Sequence, residues 1–348
     1  MPVKTEIELH SLVETILVAA GADDSNAARV ADALVLSDLS GVVTHGVMHL
    51  PGYVGSIRAG EIVPTARPEV VKQTPTSALV KGNWTFGFVS SMFAAELAIE
   101  KARGHGVAIV SVVQANHIGR LGEYAELAAS QGMVCLMWAG GYGVEQPVAV
   151  PFGGSEPLLS SNPISIGVPA GDEPSMIVDY ATTAVANSKV LVAHRDGKQL
   201  PHGSIVDKAG KATTEPADFF DGGVHLPFGG HKGYAIMLAS EYLGRLFSGA
   251  DAYLEGDRGG TAMRHQGVTF IVFRADLFQS MADFNAGADA FGRQVRAIPP
   301  APGFDRVMVP GDLEGRARAE RRRNGIPIPE VVWKSLTDLA ASLGVGAG

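Results

Sequence analysis

The run Gly106-Val107-Ala108-Ile109-Val110-Ser111-Val112-Val113 constrains this chain more than any other segment. It carries no charge and no polar/apolar alternation, the pattern of a strand covered on both faces. Such cover implies a sheet between layers of helix, an α/β architecture. The run opens directly into Gln114-Ala115-Asn116-His117-Ile118-Gly119-Arg120-Leu121-Gly122-Glu123-Tyr124. Polar residues just beyond the C-terminal end of a buried strand stand where α/β sites usually form, which marks His117.

Strands and helices alternate around this run. Ala78–Val80 reads as a short strand, 89–101 as a helix, and a further helix ends near Ser130. Met133–Trp138 is another apolar strand before the turn Gly140-Gly141-Tyr142-Gly143. Segments 162–169 and 175–180 read as two strands joined by the acidic turn 171–174, and 267–273 as one more. The polar stretch 188–216 reads as a surface excursion, and Pro227–Tyr234 opens a helix reaching Leu246. Ahead of the sheet, Leu9, Leu12, Val13, Ile16 and Leu17 recur at helical spacing, with Gly21 at the capping position. Further helices are expected at 25–37 and 53–58, and Pro64, Pro68 and Pro75 close this region. Helices at 313–323 and 330–343 end the chain. The expected division is 1–70, helical; 71–305, an α/β core; and 306–348, helices packing with the N-terminal segment.

Composition removes several function classes. A formal net charge of −8 argues against nucleic acid as a partner. The basic run Arg316–Arg323 reads as the solvated face of a helix. Cys135 is the only cysteine, so neither a disulfide framework nor a thiolate metal cage is expected. No stretch approaches the ~18–20 apolar residues of a spanning helix. A polar N-terminus does not read as a signal peptide, and a cytoplasmic location is the expectation.

The chemistry-bearing segment is Ser37–Tyr53, which holds Asp38, Thr44, His45 and His49 among glycines. His45 is the group best suited to general acid–base work, since a carboxylate partner raises an imidazole's pKa and lets it donate near neutrality. Asp38 and Asp179 are both candidate partners; the plainer alternative is a histidine that caps a helix or bonds a carbonyl. His45 and His49 lack the H-E-x-x-H pattern, so no metal is assigned. There is no G-x-S-x-G elbow, no G-x-G-x-x-G and no P-loop. Gly229-Gly230-His231-Lys232-Gly233 is either an anion-binding helix start or a turn with a surface lysine.

Thr44-His45-Gly46-Val47, Asn116-His117 through Gly122-Glu123-Tyr124, Ser161-Asn162-Pro163, Val178-Asp179, Gly230-His231-Lys232-Gly233, Val309-Pro310-Gly311 and Arg322–Ile326 occur in one order. In this the chain resembles the type-2 malate/L-lactate dehydrogenase family, also called sulfolactate dehydrogenase-like, from about Leu9 to Leu343. That family includes malate, lactate, sulfolactate and ureidoglycolate dehydrogenases, 2,3-diketo-L-gulonate reductase and reductases of piperideine- and pyrroline-2-carboxylate. The resemblance implies a mixed-sheet α/β fold whose dinucleotide-binding domain is not Rossmann, with a helical layer from both chain ends. It also implies an NAD or NADP cofactor and a homodimer with the site near the subunit boundary.

By the same resemblance the catalytic histidine falls on His45, with His117 lining the site; Asp179, a carboxylate ending an apolar run, is the residue expected to orient or charge His45. The cofactor segments fall on Ser175, Met176, Ile177, Val178, Asp179, Tyr180 and Ala181, on His231 and Lys232, and on Gly311, Asp312 and Leu313. Thr44, His49 and Arg120 are the expected substrate contacts. Family members often carry arginine where this chain has His49, so Arg58 or Arg120 would have to clamp a carboxylate here. The expected reaction is hydride exchange at C2 of a 2-hydroxy or 2-oxo acid, the alternative being reduction of a cyclic imino acid. A non-catalytic nucleotide- or metabolite-binding protein and, further off, a metal-dependent hydrolase are the competing classes.

Overall fold

The computed structural model describes residues 1–346, so Ala347 and Gly348, the end of the expected C-terminal segment, lie outside the described residues. Three helices lead: α1 Glu6–Ala19, α2 Asp24–Leu39 and α3 Leu50–Arg58. Thr5 and Glu8 form a reciprocal capping box at α1, and Asp23 caps α2 through the Asn26 amide. The strands and helices of the core follow as β1 Glu69–Thr74, β2 Ser77–Lys81, α4 Gly87–His105, β3 Val107–Val113, α5 Gly122–Ser130, β4 Met133–Gly140, β5 Ile164–Val168 and β6 Met176–Tyr180. Then come α6 Asn187–Arg195, α7 His231–Glu241, β7 Gly267–Arg274, α8 Met281–Arg296, α9 Asp312–Asn324 and α10 Glu330–Ser342.

The main sheet has seven strands in the order β1-β2-β3-β7-β4-β5-β6. β2 and β3 pair in parallel, and every other neighbouring pair is antiparallel. Since β7 runs against both its neighbours, β3 and β4 point the same way, and so does β6. Their C-terminal ends therefore share one edge of the sheet. β7 also shows that the sheet is covered twice. Phe270 stacks edge-on against Tyr124 of α5, while the next residue back, Thr269, donates from Oγ1 to the Leu243 carbonyl in the π-turn that continues α7. β3 behaves as its composition demands, with Val110, Ser111, Val112 and Val113 all buried.

A second apolar cluster joins α1, α2 and α3 to Ile326, Ile328, Leu336 and Ala340 near the C-terminal end, and reaches Phe86 and Phe88 at the start of α4. Val3 and Lys4 pair with Pro327 and Ile326 as a short antiparallel ladder beside it.

Two elements differ from expectation. The 188–216 stretch is more than a surface loop, because Val190, Leu200 and Ile205 form a small core of their own beside a three-stranded sheet. Helix α8 has no counterpart in the sequence reading, where Gly287 and Gly292 interrupt its pattern. It begins with Ser280 as cap, and its Asp289 accepts from the amides of Gly171, Asp172 and Glu173, which fixes the β5–β6 turn.

Phe270 is fully buried at the centre of both neighbouring ladders. Phe270→Ala should cost roughly 3–5 kcal/mol, as large-to-small changes in packed cores do, measured by denaturant unfolding. A loss below ~1 kcal/mol would mean the core collapses around the vacated space.

Candidate active site

Between α2 and α3 the chain makes two short 3-10 turns, Val43–His45 and Val47–His49. Asp38, in the last turn of α2, is buried, and its carboxylate accepts from the Val47 amide at 2.8 Å. A Cβ on Gly46 would lie 2.3 Å from that carboxyl group, so only glycine lets the chain pass so close. Burial pushes the Asp38 carboxyl up to about 7, against the opposing pull of the Val47 amide and Arg321. Arg321 also donates to the Asp38 carbonyl. His49 Nε2 lies 2.7 Å from the Thr44 carbonyl oxygen. A carbonyl only accepts, so this nitrogen carries a proton and is committed to that contact. The Thr44 hydroxyl stands 3.2 Å from His45 Nδ1, which leaves Nε2 as the open nitrogen of that ring.

The facing wall comes from the segment after β3. Asn116 Nδ2 donates to the Trp84 and Thr85 carbonyls at 2.9 and 3.0 Å and holds that segment against the start of α4. Gly87 allows the approach, since a Cβ there would lie 2.0 Å from the Asn116 oxygen. His117 thereby stacks near-parallel to His45, with ring centroids 5.9 Å apart and planes 19° apart. His49 approaches the same ring at 5.3 Å, and the Tyr53 hydroxyl meets His117 Nδ1 at 2.6 Å. Phe88 packs edge-on against both Tyr53 and His117. Tyr53 and Phe88 were not singled out from the sequence. Tyr53 was findable, four residues after His49 on one helical face; for Phe88 no sequence signal exists.

Asp179 lies near the C-terminal end of β6, and its carboxylate accepts from the Gly122 amide at 2.7 Å. Arg120 runs alongside: a Cβ on Gly122 would sit 2.7 Å from Arg120 Nη1 and 3.0 Å from Asp179 Oδ2. Burial pushes Asp179 up to about 6, although Arg120 pulls it down. Among the described residues neither carboxylate hydrogen-bonds His45, the partnership the sequence suggested. Both are occupied by backbone amides, and burial, His49 and Arg120 together press His45 down to about 4. His117 is likewise held well below the usual imidazole range by burial and its two histidine neighbours. At neutral pH these are uncharged rings. Arg58, the other cation considered for a substrate carboxylate, is exposed at the end of α3.

The three segments expected to hold a cofactor all adjoin β6. The Ile177 amide donates to the Pro310 carbonyl, and Gly311, at φ +99°, caps α9 where a Cβ would lie 3.3 Å from Ile177 Cβ. At the strand's other end Tyr180 packs edge-on against Phe228, which leads into Gly229 and Gly230, both at positive φ, and then α7. No side chain caps either helix, and His231 and Lys232 are exposed at the start of α7. Free amides beside a lysine suit an anionic, phosphate-bearing ligand. The Asp312 carboxylate is already committed, to Arg296 at 2.7 and 2.9 Å and to the Val309 amide. Among the described residues no group of histidine, cysteine and carboxylate side chains is arranged to hold a metal ion.

The sequence matches the malate/L-lactate dehydrogenase family over residues 5–337. The chain belongs to that family. It is 33% identical to the L-sulfolactate dehydrogenase of Methanocaldococcus jannaschii over 99% of this chain and 98% of that one. A solved structure of sulfolactate dehydrogenase from that organism aligns with a TM-score of 0.90, at 32% identity, over 99% and 98% of the two chains. The L-lactate dehydrogenase of Cupriavidus necator is 35% identical over 97% of this chain and 96% of its own. The structure of delta1-piperideine-2-carboxylate reductase from Pseudomonas syringae pathovar tomato aligns at TM-score 0.85 and 29% identity, over 98% and 100%. This family member is an oxidoreductase acting on hydroxy acids, built on a mixed α/β fold.

The raised Asp38 carboxyl carries a testable cost. The unfolded chain releases this proton near the ordinary value of 3.8, whereas the folded chain keeps it to about 7. Its contribution to stability is therefore full below that window and is lost as pH rises through it. Asp38→Asn keeps an acceptor for Val47 and removes the titration. Scanning calorimetry at about pH 5 and about pH 8 should show a smaller drop in Tm for the variant than for the wild type. Equal drops would place the cost on other groups.

Proposed function

We propose that the chain is a nicotinamide-dependent dehydrogenase that interconverts a 2-hydroxy acid and its 2-oxo acid, with His45 handling the proton. The observation that carries this reading is a half-buried His45 stacked on His117, with Thr44 at Nδ1, Nε2 open and the Arg120 charge within reach. In the oxidation direction an uncharged imidazole accepts the hydroxyl proton through Nε2 while the substrate carboxylate sits on Arg120. That carboxylate also offsets the positive field around His45, so the imidazolium formed by the transfer is better tolerated in the complex. Tyr53 stays a neutral phenol because burial raises its pKa, and it donates to His117 Nδ1. His117 then carries its own proton on Nε2 and presents it to the substrate oxygen. Asp179 stands opposite as the negative counterweight of Arg120.

When bound, the nicotinamide supplies or takes up the hydride at substrate C2. Uncapped amides at α7 and α9, together with Lys232, suit its phosphates, and the backbone of Ser175–Ala181 runs between these helix ends. His49 anchors the Thr44 carbonyl through its Nε2 proton, which is therefore not available to a substrate. The structural kinship with a piperideine-carboxylate reductase supports a second reading, reduction of a cyclic imino acid by the same groups acting on C=N.

His45→Ala should lower kcat by about 10²–10⁴, the usual contribution of a positioned acid–base group, while NADH or NADPH fluorescence titration still shows binding. Wild-type turnover in the variant would remove the assignment. The pH profile gives a second check. In hydroxy-acid oxidation kcat/KM reports the free enzyme, so it should stay flat across neutrality and fall only as pH drops toward the His45 value of about 4. A break near ~6.5, the ordinary histidine value, would contradict an enclosed, uncharged His45.

A further inference from the structure

Arg120 is buried, and its Nε is enclosed with no partner among the described residues. Its firm hydrogen bond is from Nη2 to Glu126 Oε1 in α5, at 3.0 Å. Glu126 is itself gripped from the far side by Arg318 of α9, through a two-pronged contact of 2.6 and 3.1 Å. Two arginines thus share one carboxylate. Arg318 is about two turns along α9 from Gly311, roughly 10 Å at the rise of a helix. The helix whose start adjoins the expected cofactor segment therefore also holds the residue that holds Arg120.

From this arrangement we infer that Glu126 and Arg318 are positioning residues that aim Arg120 at the substrate carboxylate. The inference rests on the reading of Arg120 as the carboxylate-binding residue. An arginine side chain is rotamer-rich, and this buried one has carboxylates nearby to collapse onto, among them Glu126 and Asp179. Arg318 occupies the Glu126 fork, so Glu126 offers Arg120 a single oxygen rather than a bidentate seat. The guanidinium is held at Nη2, which leaves Nη1 for an incoming carboxylate. Without Arg318, Glu126 is free to turn both oxygens onto Arg120 and withdraw it from the substrate. Without the Glu126 charge, Asp179 draws Arg120 instead, and the Asp179 carboxyl titrates lower.

Steady-state kinetics of Arg318→Ala, Arg318→Lys and Glu126→Gln test this. Each is made in the wild-type and the Arg120→Ala background and assayed with saturating reduced cofactor on whichever of pyruvate or oxaloacetate turns over. Arg318→Ala should raise KM for the 2-oxo acid by about tenfold or more while kcat changes by less than about threefold. Arg318→Lys, a point charge without the fork, should restore part of the KM. In the Arg120→Ala background neither Arg318 change should add anything, since the residue acts through Arg120. Glu126→Gln should likewise raise KM with little change in kcat, as Arg120 turns to Asp179.

An unchanged KM in Arg318→Ala, or the same rise with Arg120 already removed, would overturn the proposal. If Arg120→Ala itself leaves KM unchanged, the carboxylate reading falls and the positioning role with it. If Arg120→Ala raises KM and Arg318→Ala does not, only the positioning role falls. Should Arg318→Ala fail to fold by circular dichroism, Arg318→Lys and Glu126→Gln complete the same cycle.

Discussion

The site depends on how the chain crosses from α2 to α3 over a buried carboxylate. Asp38 has little exposed surface, yet it must find hydrogen bonds, and it finds one in the Val47 amide. An unpartnered buried carboxyl would be costly, so this contact fixes the turn that carries Thr44, His45 and His49. Gly46 is the steric condition for it. With the turn fixed, His49 can reach back to the Thr44 carbonyl and Thr44 to His45. Rotamer freedom is removed from His45 before any ligand arrives, as the proton-transfer role proposed for it requires.

Helix α9 supports both halves of this arrangement. Arg321 reaches the Asp38 carbonyl beneath the histidine turn, and Arg318, three residues earlier, reaches Glu126 beneath Arg120. Spacing of three puts them on one face of the helix, turned inward. The basic run 316–323 is thus not simply a solvated face, as its composition suggested. Arg316, Arg322 and Arg323 fit that description, and the inward pair does not. Charge density alone could not separate them, because their acceptors come from elements almost two hundred or more residues distant in sequence.

Much of the framework was legible in the residues. β3 announced itself by unbroken apolar composition, and α1 and α2 by helical spacing with polar caps, because these signals are local. The position of His117 past the end of β3 followed from the same logic. What could not be read was whatever depends on a distant partner. His45 seemed to want a carboxylate, but Asp38 and Asp179 spend theirs on backbone amides, and that preference appears only once the amides are in place. The shift of His45 is therefore opposite in sign to the sequence expectation. Helix α8 was hidden for a different reason: two glycines blur its periodicity, and its purpose, holding the β5–β6 turn through Asp289, is tertiary.

The place of β7 bears on how the molecule is made. It enters the sheet between β3 and β4, although more than a hundred residues of chain separate it from either. During synthesis from the N-terminus, β3 and β4 both emerge with one edge unpaired and keep it so until residue 274 has left the ribosome. Unpaired apolar edges of this kind invite pairing with other chains. The nascent protein thus passes through a long interval in which its half-built sheet has two sticky borders.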